Sequence, residues 1–95
     1  MPLKMSKKIR EKLSLKQPPV TEEEIVQCFA NKIGGFLIDA RETHVTDPPT
    51  KWFVSETNYG RKLKVVFILK EGNIIIKPAF DPNSTELRIY KNKAF

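Results

Sequence analysis

Between Ser6 and Gln17 the apolar residues Ile9 and Leu13 stand four apart, among Lys7, Lys8, Arg10, Glu11, Lys12 and Lys16. That spacing predicts an amphipathic helix with a narrow buried stripe, ended by Pro18 and Pro19. A second helix is predicted to start at Thr21. Thr21 and Glu24 have the spacing of a capping box, and Val20 is placed to staple onto Ile25. Its buried side should carry Ile25, Cys28 and Phe29, with Val26 at the edge. Gly34 and Gly35 are expected to supply the left-handed positions that stop it.

Beyond the glycines the period changes. FLIDA (36–40), KWFVSET (51–57), LKVVFILK (63–70) and NIIIKPAF (73–80) are short and rich in β-branched and aromatic residues, which predicts strands. Asn58-Tyr59-Gly60 and Glu71-Gly72-Asn73 are the turns, the second closing a tight hairpin. The apolar run from Val65 to Leu69 predicts a central strand covered on both faces. Asp81 as cap and Pro82 at the first helical position predict a short closing helix over NSTELRIYK. The expected architecture is α+β: two N-terminal helices packed on a three- to four-stranded antiparallel sheet, with a short C-terminal helix.

Ninety-five residues, 40% of them hydrophobic, fit a single domain spanning 1–95 with a small core. One cysteine excludes an internal disulfide, and no apolar run is long enough to span a membrane. The basic start lacks the apolar stretch of a secretory signal, so a cytoplasmic protein is expected. Charge is unevenly placed. Residues 1–19, the basic helix, carry six basic and one acidic side chain; 20–60 carry three and seven; 61–95 carry eight and three. Basic ends around an acidic middle suit a protein that offers a polyanion one face, and equally an ordinary charged surface.

The order of elements, the strand GRKLKVVFI after a glycine turn and the ending IIIKPAFDPNSTELRIY resemble the small toxins of the RelE/ParE superfamily, closest to its BrnT-like branch. The resemblance covers residues 20–92. BrnT-like proteins end in a strand and short helix with an alanine, an acidic residue, an arginine or lysine, and a tyrosine; here these are Ala79, Glu86, Arg88 and Tyr90. IIIKPAFDP also resembles a strand end in a related uncharacterised bacterial family, some of whose members carry a label as ADP-ribosyl-protein hydrolases. Two positions depart from the pattern: Phe80 stands where BrnT-like proteins have an arginine, and Lys8 where the related family often has a histidine. The resemblance implies a cytosolic bacterial ribonuclease toxin that cuts RNA without a metal or other cofactor, on ribosome-bound mRNA or free RNA, and is held in check by a cognate antitoxin. The alternative it leaves open is a non-catalytic protein of the same fold that binds a protein partner or nucleic acid.

Such cleavage needs a base for the ribose 2′-OH, an acid for the leaving oxygen and fixed cations. The catalytic candidates are therefore Arg61, Glu86, Arg88, Tyr90 and His44, with Lys62, Lys64, Lys77 and Trp52 as RNA-binding candidates. His44 is the one side chain whose ordinary pKa lies near neutrality; its setting in RETHVTDPPTKWFV also reads as an idle turn residue. Trp52 offers a stacking platform or a core side chain. Lys62 and Lys64 share a strand face, which is either an RNA-backbone contact or a solvated surface. Glu86 and Tyr90 lie four apart on one helix side, fit for proton transfer or for packing. Cys28, on an apolar side, reads as a core residue. One histidine and one cysteine without a close-set cluster of ligands argue against a metal site. An acidic antitoxin segment is expected to mask Arg61, Lys62 and Lys64.

Overall fold

The computed structural model describes residues 3–38 and 49–95. The elements are β1 (Leu3–Met5), α1 (Lys7–Ser14), α2 (Glu22–Asn31), β2 (Leu37–Ile38), β3 (Thr50–Glu56), β4 (Lys62–Lys70), β5 (Asn73–Phe80) and α3 (Ser84–Lys93). The class is α+β, but the sheet is larger than expected and mixed. Its five strands run in the order β1-β5-β4-β3-β2, with β1 parallel to β5 through Leu3↔Ile74 and Met5↔Ile76. A three-residue strand with Lys4 at its centre is too short to show a period, which is why the sequence pattern does not reveal it.

The central position of β4 follows from its composition. Leu63, Val65 and Phe67 on one face are fully buried, and Val66 on the other is 9% exposed. The first face carries α1 and α2 and holds the core: Leu13, Val20, Ile25, Cys28, Phe53, Leu63, Val65, Phe67, Ile76 and Ala79. Phe29, Phe36, Phe53 and Phe67 meet there with ring centroids 4.7 to 6.3 Å apart, edge to face in every pair but the tilted Phe29–Phe36, a geometry that adds to burial. The second face carries α3, whose Tyr90 ring lies 5.9 Å from that of Trp52.

Local signals explain most boundaries. Thr21 caps α2 with the expected reciprocal bonds to Glu24. Ser6 caps α1, which is shorter than expected and ends at Ser14. Glu71 and Gly72, with φ of 53° and 79°, form the two-residue link between Lys70 and Asn73; left-handed positions at both turn residues match the strand twist. In β5 three steps from Ile76 to Ala79 oppose two from Phe67 to Val65. The extra residue is accommodated at Lys77-Pro78, where a proline with no N–H to donate is tolerated, and it returns Ile76 and Ala79 to the same buried face.

Three expectations are corrected. The helix α2 stops at Asn31, before the glycines, with Lys32 already extended, and the left-handed glycines are Gly60 and Gly72. Gly34 is needed for space: a Cβ there would lie 2.8 Å from the Tyr90 hydroxyl and 3.1 Å from the Phe95 ring. The cap of α3 is Asn83, which forms a full capping box with Glu86. Asp81 is instead drawn to Arg61, its Oδ1 3.3 Å from Nε. The expected strand 36–40 starts one residue later, at Leu37, and residues 39 and 40 lie outside the described residues.

Candidate functional site

The candidate residues separate into three places. Arg61, just before β4, donates from Nη1 to Pro19 O at 2.8 Å and from Nη2 to Pro18 O at 3.0 Å. It also pairs with Asp81 and with Glu24, the latter at 3.5 Å. Its fork thus joins the α1–α2 connection, the start of α2 and the end of β5.

On the opposite sheet face the structure brings together Trp52, Lys64, Glu86 and Tyr90. Lys64 Nζ lies 2.6 Å from Glu86 Oε2, 4.5 Å from the centre of the Trp52 ring and 5.4 Å from that of Phe80. The side chains of this pair are only 14% and 19% exposed, so their attraction is less screened than that of a surface pair. Phe80, which departs from the BrnT-like arginine, here packs against the lysine cation. Tyr90 donates its hydroxyl to Gly35 O at 2.8 Å, and burial raises its pKa. Lys62, Lys77 and Arg88 are exposed and stand outside this cluster; Lys77 sits at the β5 bulge. His44 lies outside the described residues. Among the described residues no group of His, Cys, Asp or Glu could hold a metal ion, and no helix is long and apolar enough to cross a membrane.

The third place is a groove of about 710 Å³ between the end of α2, the far part of β3 and the end of α3. One wall is Asn31 and Ile33, the other Leu87, Tyr90, Lys91 and Phe95, and the floor runs along β3 from Val54 to Asn58 beside Lys62. The opening exists because β2 starts only at Leu37. Leu37 lies opposite Trp52, and just before it the chain is drawn off to α3: Gly35 N–H donates to Ala94 O at 2.9 Å while Gly35 O accepts from Tyr90. Among the described residues, the edge of β3 is therefore left without a neighbouring strand past Trp52.

The direction of its backbone groups follows from two bonds. Thr57 N–H donates to Arg61 O across the β3–β4 turn at 2.8 Å, whereas Glu56 O accepts from Asn31 Nδ2 at 2.9 Å on the other side. In an antiparallel pair this alternates, so Phe53 and Ser55 bond to β4 while Val54 and Glu56 point away from it into the groove. Ser55 Oγ, buried beneath the same floor, has no hydrogen-bond partner.

Sequence reasoning reached the Trp52–Lys64–Glu86–Tyr90 group through spacing and resemblance. It missed the groove, whose walls are made by residues with no shared motif. The one available signal was the Gly34-Gly35 pair, which lets the chain pass close to α3. Comparison with protein-family models, curated proteins and solved structures finds no match to this chain.

Proposed function

We propose that this chain is a partner-binding protein of the RelE/BrnT-like kind, which works by holding another protein rather than by cutting RNA. The observation that carries the reading is the groove, open on a strand edge and lined by apolar side chains, while the candidate chemical groups are turned to internal partners. Arg61 is taken up by two carbonyls and two carboxylates, Lys64 by Glu86 and the Tyr90 hydroxyl by Gly35. A cation already neutralised stabilises a phosphorane less, and a hydroxyl committed to a buried carbonyl is poorly placed to give up its proton. The expected masking of Arg61, Lys62 and Lys64 narrows to Lys62, the exposed member of the three.

The convergence of Trp52, Lys64, Glu86 and Tyr90 favours a second reading, a metal-independent endoribonuclease of a toxin–antitoxin pair. One pair of experiments separates the two. The full chain is purified from its natural host, and any bound protein is identified by intact mass; it is then incubated with RNA and with translating ribosomes, and ends are scored for 2′,3′-cyclic phosphate. A stoichiometric protein partner and intact RNA support the binding reading. Cleavage that falls at least about 10²-fold in Lys64→Ala and Tyr90→Phe, as expected for groups acting in the transition state, overturns it in favour of the nuclease. Isolation without any partner also counts against it.

A further inference from the structure

We infer that the groove beside β3 receives an extended segment of a partner protein as an additional strand, and that this segment alternates apolar and acidic side chains. The inference rests on the protein-binding reading and specifies its mode. Val54 presents an N–H and a C=O, and Glu56 an N–H, in the line that β2 would occupy if it continued past Trp52. An incoming backbone satisfies these groups by the same ladder that joins β2 to β3, and its side chains then alternate between the two walls.

The walls specify the side chains. Ile33 and Phe95 are large apolar residues 87% and 69% exposed, and with Val54 and Leu87 they give the groove a contiguous apolar lining of the kind that marks a binding surface. Lys62 and Lys91 stand in the same lining without a carboxylate partner among the described residues, against the one carboxylate of Glu56. A partner carboxylate meets these two ammonium groups. The charge also argues against the simplest alternative occupant, a second copy pairing edge to edge: each chain carries a net charge of +6, and such a pair would bring two sets of these lysines together.

The test varies the probe first and then two groove lysines. Four blocked synthetic peptides of about eight residues, an ordinary strand length, are titrated into the full chain: alternating valine and glutamate; the same with lysine for glutamate; and two with backbone N-methyl groups on alternate residues, one for each edge. Binding is followed by the amide signals of Val54 and Glu56 and by their hydrogen exchange. Expected are saturable binding of the acidic peptide, at least about tenfold slower exchange at Val54 and Glu56, a loss of at least about tenfold in affinity for one of the N-methylated peptides but not the other, and weaker binding of the lysine peptide. Lys62→Ala and Lys91→Ala should each weaken the acidic peptide severalfold with unchanged thermal unfolding.

Failure of the acidic peptide to bind, binding that leaves the two amides unprotected, or equal affinity for both N-methylated peptides overturns the inference. Concentration-dependent protection of Val54 and Glu56 in the protein alone overturns it in favour of a second copy. A partner that co-purifies from the host while the acidic peptide fails sinks strand addition and leaves the binding reading standing; absence of any partner sinks that reading as well.

Discussion

Gly34 shows how a single missing Cβ positions the groove. Its neighbours at 2.8 and 3.1 Å are the Tyr90 hydroxyl and the Phe95 ring, and that hydroxyl is held by Gly35 O. Gly34→Ala therefore overpacks a fixed contact and should cost about 1–3 kcal/mol in chemical denaturation. Tyr90→Phe alone should cost about 0.5–1.5 kcal/mol for the lost hydrogen bond. The double variant should be less destabilised than the sum, because the first clash disappears with the hydroxyl; additivity would show that the contact is not the cause. Cys28 and Tyr90 also set an alkaline limit. Burial first, then the negative charge of Glu24, pushes the Cys28 thiol from 9.0 up to about 11, with Arg61 pulling the other way, and burial raises Tyr90. Both groups are neutral when protonated, and their folded pKa values exceed the unfolded ones, so the unfolded chain releases these protons first. The stability they contribute is complete below about pH 8.5 and is lost as pH rises through the folded values. Denaturant midpoints should fall from about pH 9 upwards, and Cys28→Ala should make that fall shallower.

At the scale of elements, Arg61 and Phe67 are the junctions. Arg61→Ala removes bonds to two backbone carbonyls and two carboxylates, and because Pro18, Pro19 and Asp81 are exposed and can turn to water it should lower stability by about 1.5 kcal/mol, the low end for charge-assisted bonds. Arg61→Lys should not restore it, since an ammonium lacks the planar fork that reaches Pro18 O and Pro19 O together. Phe67→Ala, in the central strand and against three aromatic rings, should cost about 3–5 kcal/mol in thermal or denaturant unfolding. Both elements bear on what could be read from the sequence. The strand β4 was legible because burial on both faces forces a continuous apolar run, and the start of α2 because a capping box is a local event between Thr21 and Glu24. Asp81 was misread as a cap for a tertiary reason: a carboxylate beside a distant guanidinium is not available to its own helix. The strand β1 was missed because three residues carry no period and their partner is remote in sequence.

For the whole molecule, basic charge at both ends of the sequence suits either a polyanion-facing surface or an ordinary charged one, and folding divides those charges by use. Arg61 and Lys64 are spent inside the protein, whereas Lys62 and Lys91 remain in the groove. Partner binding should accordingly weaken with ionic strength, mostly through slower association; Lys62→Ala should reduce that salt dependence, whereas Arg61→Ala should chiefly reduce stability. Glu86 and Tyr90, which share the cluster with Trp52 and Lys64, were visible from the sequence through their four-residue spacing and through the resemblance carried by Ala79, Glu86, Arg88 and Tyr90. The groove was not, because a vacant strand position is defined by where a chain departs, and departure at Gly35 depends on Tyr90 and Ala94 far along the sequence.

The parallel pairing of β1 with β5 governs the order in which the sheet can assemble. Leu3 and Met5 pair with Ile74 and Ile76 of β5, each about 71 residues further along the chain. The hairpins of β3, β4 and β5 need only short loops to close, whereas seating β1 closes most of the chain in one step and bears the loop entropy of that closure. Refolding should therefore form the β3–β4–β5 hairpins before β1 docks, with the outer edge of β5 exposed in the interval.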